Sequence, residues 1–182
     1  KDLLAVSTID GISLHTDKYE NIYDATVMWS GSNKVITSDQ QGDLNSGVLP
    51  DMDDMTRDNV RQEILWGNLM AGGGGVQYYF GTSFTESHLT LQDFRSRDTL
   101  WDHSKYALDF FNRLPATMKV ANNKVSAGLW CLATADESTI AVYIKAGAKN
   151  PTIQLDSEYT AEWYNPRSGT VELVVAITIK LE

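Results

Sequence analysis

The sequence changes character once, and that change limits the folds open to it. From residue 11 to residue 114, short β-prone runs alternate with helical ones, and beyond residue 121 only β-prone runs remain. Residues 11–16 (GISLHT) read as a strand that ends in polar groups, and residues 18–30 as a helix with Ile22, Tyr23 and Val27 on one side. Residues 34–38 (KVITS) form the next strand. Helical spacing through Val60, Ile64 and Leu65 predicts a helix over residues 56–70, with Thr56 or Asp58 as its cap. Glycines 72–75 stop it, and the β-branched and aromatic run 76–80 (VQYYF) is a third strand. Thr90 and Asp93 then form a capping box for a helix that breaks near Ser96, reaches Leu114 and ends at Pro115.

Three βα units are too few for a closed barrel, which takes eight strands and typically about 250 residues. Left open, such a sheet leaves its edges and its helix faces bare. The expected apolar exposure exceeds the few hundred Å² that a soluble monomer usually carries. More chain upstream, or a second polypeptide, is therefore expected to complete this part.

The β-only stretch holds runs at residues 125–134, 139–145, 152–155, 159–164 and 171–179, joined by turn-like segments such as Ala135-Asp136-Glu137 and Asn165-Pro166-Arg167-Ser168-Gly169. This predicts a small antiparallel sheet or β-sandwich. The division expected is residues 1–118 for the α/β part and 119–182 for the β-sandwich.

Of the 182 residues, 42% are hydrophobic and 21% charged, enough apolar material for a core and too little charge for disorder. The net charge of -9 argues against nucleic acid, whose binding rests on Lys and Arg neutralising phosphates. Neutral or cationic partners fit better. A single cysteine, Cys131, excludes an internal disulfide and reads as a buried thiol in a strand. Neither a leader peptide nor an apolar run of about 18 residues is visible, so no membrane partner is expected.

Two segments carry a family likeness. Residues 58–112, DNVRQEILWGNLMAGGGGVQYYFG followed by HLTLQDFRSRDTLWDHSKYALDFFN, closely resemble the end of the barrel in the apiosidase-like family of bacterial glycoside hydrolases. YTAEWYNPRSG at 159–169, with AGLWCLA at 127–133 before it, resembles the β-sandwich that usually follows, a domain carrying a collagen-binding label. The resemblance implies a TIM-type (β/α)8 barrel in which GISLHT, KVITS and VQYYF are strands six, seven and eight. It also implies a secreted, periplasmic or cell-surface enzyme acting on a poly- or oligosaccharide, with no cofactor. Members of the family carry Asp-Glu just after strand seven, whereas this chain reads Ser38-Asp39-Gln40-Gln41-Gly42, so Gln40 stands where a carboxylate is expected. Residues 174–182 do not look like the family's closing strands.

In such barrels the site is built at the C-terminal ends of the strands. Here those ends supply His15, Thr16 and Asp17, then Asp39 and Gln40, then Tyr79 with Phe80, while Gln77 lies within the third strand. Glycosidic cleavage needs two carboxyl groups. Asp39 and Gln40 are the candidates for the catalytic position, and an earlier strand would contribute the second acid. His15, Asp17, Gln77 and Tyr79 are candidates for substrate contact, although strand alternation allows either Gln77 and Tyr79 or Val76 and Tyr78 to face inward. Trp66 and Trp101 fall at helical spacing and read as core. His88, Asp93, Arg95 and Arg97 read as loop caps and ion pairs. Glycines 72–75 follow a helix and precede a strand, the reverse of a phosphate loop. The acidic stretch Asp43, Asn45, Asp51, Asp53 and Asp54 lacks EF-hand spacing and reads as a solvated loop, so no metal is expected. A carbohydrate-binding protein without catalysis, or a protein-binding adhesion module, stands as the alternative function.

Overall fold

The computed structural model describes residues 5–16, 18–83, 87 and 94–173. Asp17, His88, Thr90, Asp93 and the run 174–179 lie outside the described residues. The chain divides into two compact units, Lys1–Ser104 and Lys105–Glu182.

The first unit is a three-stranded parallel sheet in the order β1 (Gly11–His15), β2 (Val35–Asp39), β3 (Gly75–Gln77). A 3₁₀ turn, Tyr19–Asn21, leads into helix α1 (Ile22–Ser30) between the first two strands. Between β2 and β3 the helix expected at 56–70 is a π-helical segment, Val60–Trp66, that continues as α2 (Gly67–Met70). The apolar positions are those the spacing indicated, since Val60, Ile64 and Leu65 are all buried. Spacing alone does not distinguish π from α winding over so short a run.

One polar residue stitches this unit together. Buried Asn68 donates to Thr26 Oγ1 on α1 at 3.2 Å and to the Ile36 carbonyl on β2 at 3.3 Å, while its Oδ1 accepts the Gly75 amide at 2.9 Å. Glycine is needed at 73 because a Cβ there would strike the Asn68 amide, and at 74 because it would strike Val35. The glycine run therefore serves close packing of the helix end on the sheet. Ile22, Val48, Val60, Ile64, Phe80 and Leu100 form the core, with Tyr19, Val76, Tyr78 and Trp101 packed against it.

The other face of the sheet is open and polar. Ser13, His15 and Gln77 are exposed, Thr37 and Asp39 half-buried, and the one large apolar side chain is Val35, 55% exposed. Among the described residues no barrel closes, and β1 and β3 are the edges of their sheet.

The break near Ser96 is a 3₁₀ segment, Phe94–Arg97, running into α3 (Asp98–Phe111). In the second unit, β4 (Lys119–Val120), β5 (Leu129–Ala133) and β6 (Ile140–Ile144) form an antiparallel sheet. Every residue of β5 is buried, which accounts for its unbroken apolar run LWCLA. Trp130 stacks on Tyr143 at 5.4 Å between centroids, and the Lys145 ammonium sits 4.8 Å from the Trp130 ring. The strand expected at 152–155 is reduced to one bridge, Val125 to Ile153. β7 (Glu162–Tyr164) and β8 (Val171–Leu173) form a separate antiparallel pair. Tyr164 turns toward α3, donating to the Tyr106 carbonyl at 2.7 Å and packing 5.0 Å from Phe110.

Candidate active site

Strand register brings three of the sequence candidates together. His15 pairs with Asp39, and Asp39 with Gln77, at the C-terminal ends of β1, β2 and β3. Paired residues in a parallel sheet project to one face, and neighbouring strands lie about 4.8 Å apart. Imidazole, carboxylate and carboxamide thus form a row across the open face, with Asp39 in the middle.

The alternation left open for the third strand is resolved. Val76 and Tyr78 pack on the helix-bearing side, where Tyr78 shares a hydrogen bond with Ser104 at 3.1 Å and meets Trp101 edge-on. Burial pushes the Tyr78 phenol up to about 12, with the Ser104 bond and the Arg57 charge acting the other way. Gln77 therefore faces the open side. Tyr79 gives its hydroxyl to the Leu44 carbonyl at 2.7 Å, and its own carbonyl accepts the Val48 amide at 2.7 Å. Its observed contacts pin the loop that follows β2 to the segment that follows β3.

Gln40 does not continue the row. It is exposed and its φ is 47°, in the left-handed region, so the chain turns away just after Asp39. Gln41, which the sequence did not single out, turns inward: it is 0% exposed and its amide nitrogen donates to Ser38 Oγ at 3.2 Å.

The acidic loop is tied down in detail. Asp43 Oδ1 accepts the Asn45 and Ser46 amides at 2.8 and 3.1 Å, and those backbone bonds hold its carboxyl below the usual range. Arg57, 0% exposed with φ 54°, donates through Nε and Nη2 to Asp51. Tyr19 donates to the Gly47 carbonyl at 3.2 Å. Burial raises the Tyr19 phenol, helped by the Asp54 carboxylate and opposed by the Arg57 guanidinium. Among the described residues no group of three or more His, Cys, Asp or Glu is placed to hold a metal ion.

No signal in the sequence marked Gln41 or Arg57. Burial of a glutamine or an arginine depends on a turn several residues long; Gly42 marks a turn beside Gln41 but not which neighbour is buried, and the left-handed backbone at Gln40 and Arg57 falls on residues that do not advertise it. The chain matches no family model, no curated protein and no solved structure.

Proposed function

We propose that the first unit is the C-terminal part of a (β/α)8 barrel of glycoside hydrolase type, acting on a poly- or oligosaccharide, and that the second is its accessory β domain. The observation that carries this reading is the row His15, Asp39, Gln77 at the C-terminal ends of three parallel strands. Barrel enzymes build their sites at such strand ends. A carboxylate flanked by two hydrogen-bonding side chains suits a sugar, whose hydroxyls both donate and accept.

The layering of the open face supports the same reading. Near the base of the sheet Val35 is flanked by Gly11 and Gly74; a Cβ at Gly11 would meet the Val35 carbonyl oxygen at 2.8 Å and its Cβ at 3.2 Å. Large and small residues alternate in this way where side chains from alternate strands fill a barrel interior. In this reading further parallel strands, from upstream chain or a second polypeptide, cover the face and supply the second carboxyl group that glycosidic cleavage requires. Among the described residues no helix is long and apolar enough to cross a membrane. A secreted or cell-surface setting follows from the substrate class proposed.

Reducing-end release by the full-length protein across a panel of plant and algal glycans tests the reading. Hydrolysis that disappears in Asp39→Asn supports it; no hydrolysis of any glycan counts against it. A second reading, sugar binding without cleavage, is favoured by the amide at Gln40. Glycan retention without hydrolysis would select it.

A further inference from the structure

With His15 and Asp39 on the open face, strand alternation sends Leu14, Thr16 and Ser38 to the helix-bearing side. Gln41 joins that side. Left-handed backbone on both sides of it, φ 47° at Gln40 and 84° at Gly42, folds its carboxamide back onto Ser38 Oγ. The Tyr19 ring roofs this turn, so closely that a Cβ at Gly42 would come within 2.6 Å of its hydroxyl.

Two polar atoms are left over at this place. Thr16 Oγ1 and Gln41 Oε1 are both buried, and neither has a hydrogen-bond partner among the described residues. Thr16 follows directly on β1 and Gln41 lies two residues past β2, the strands joined at the Leu14 to Ser38 pair, and Gln41 folds back onto Ser38. Leaving a buried polar group unpaired is costly, and native chains rarely tolerate it without a solvent molecule or an ion. An amide oxygen accepts only, while a hydroxyl donates or accepts. A water molecule can donate to the first and satisfy the second.

We propose that one ordered water is an integral part of the fold here, bridging Thr16 Oγ1 on β1 to Gln41 Oε1 beyond β2, directly behind His15 and Asp39. The bridge ties the end of β1 to the turn that follows Asp39 and makes Thr16 and Gln41 positioning residues for the row on the open face. The positioning role rests on the sugar-site reading, whereas the bridge itself does not.

Thermal unfolding of Thr16→Val, Gln41→Met and the double variant in the full chain tests it, because the sign of the first effect is diagnostic. Valine keeps the shape of threonine and removes the hydroxyl. If the hydroxyl holds a water, Thr16→Val lowers Tm by about 2–4 °C, the shift for one net hydrogen bond in a chain of this size. If the hydroxyl is unpaired, the substitution leaves Tm unchanged or raises it, and the proposal falls. Both single variants release the same water, so the double variant should lose less than the sum; strict additivity also overturns the bridge. Should Gln41→Met fail to fold, a crystal structure of the wild type decides, with density for a water about 3 Å from both atoms required. For the positioning role, Thr16→Val should move the imidazole chemical shifts of His15 at fixed pH, and unchanged shifts would refute that part. Absence of glycan turnover in the wild type sinks the sugar-site reading and leaves the Tm test of the bridge intact.

Discussion

Arg57 grips Asp51 through Nε and Nη2, which donate to the same oxygen, Oδ1, at 2.9 and 2.8 Å, while Oδ2 accepts the Thr99 amide at 2.9 Å. The guanidinium is fully buried and the carboxylate only 25% exposed. The pair therefore fastens the loop after β2 to the first turn of α3. Removing one member of such a pair leaves a charge buried without its partner. Asp51→Ala should destabilise the first unit by about 3 kcal/mol in urea unfolding, at the lower end of the usual range because Asp51 keeps some water. A loss below about 1 kcal/mol would mean that solvent replaces the carboxylate.

The same contact makes stability depend on pH. Burial, the largest single influence on Asp51, would raise its carboxyl, but the Thr99 amide and the Arg57 guanidinium together outweigh it and the net shift is downward. A carboxyl depressed in the folded state binds protons more readily when unfolded, at about pH 3.9. Its stabilisation is present above that pH and is lost as the pH falls toward the depressed folded value. Unfolding free energies measured from pH 6 down to pH 2.5 should fall less steeply below about pH 4 in Asp51→Asn than in the wild type. Parallel curves would assign the acid sensitivity to other carboxylates.

Cys131 lies in the fully buried strand β5, and burial pushes its thiol up to about 11, with Lys124 acting in the opposite direction. Only the thiolate reacts, and at pH 8 that is roughly one part in a thousand of the folded protein. Iodoacetamide should leave Cys131 unmodified in native buffer and label it fully in guanidinium. Rapid native labelling at pH 8 would show that β5 opens.

What the sequence disclosed follows physical range. Strand ends and their polar residues were legible because GISLHT and KVITS each carry their signal within five or six positions, and the placing of His15 beside Asp39 then needed only parallel order. Burial of Arg57 and Gln41 was not legible, since it depends on left-handed turns and on partners set by the tertiary fold. The run 152–155 looked like a strand for its β-branched residues, yet Pro151 before it lacks the amide a ladder uses, and one bridge is all that forms. Position alone marks Tyr79 as a sugar contact; its hydroxyl is bonded to the Leu44 carbonyl, a contact that sequence spacing does not show.

Gly47 has φ 53°, and a Cβ there would run into the Tyr79 carbonyl oxygen and the Gly81 nitrogen. Both obstacles are backbone, so neither can swing away. Gly47→Ala should cost more than about 1 kcal/mol, since it adds a steric clash to an unfavourable φ. Alanine at Gly31 meets nothing within 4 Å and has an ordinary helical φ, so it is the control expected to stay near wild type. Equal effects at the two sites would show that the loop after β2 is not held against the segment after β3.

Asp39 and Gln40 are adjacent in sequence but differ in setting, and this separates two accounts of the proposed chemistry. Asp39 ends β2 in register with His15 and Gln77, whereas Gln40 sits on left-handed backbone, exposed, one residue beyond the row. Glutamine is nearly isosteric with glutamate and can bond a sugar hydroxyl, but it cannot carry negative charge or act as a nucleophile. If Asp39 carries the reaction, Asp39→Asn should lower kcat about 10³-fold or more, and Gln40→Glu should leave it within about threefold. If Gln40 stands in for a lost nucleophile, Gln40→Glu should instead raise kcat about 10²-fold or more with little change in KM, because the new charge acts on the transition state rather than on substrate binding. The geometry favours the first outcome, since only Asp39 lies between two side chains able to orient it. Steady-state kinetics on both variants in the full-length protein decides between them, and unaltered hydrolysis in both would move the site away from the end of β2.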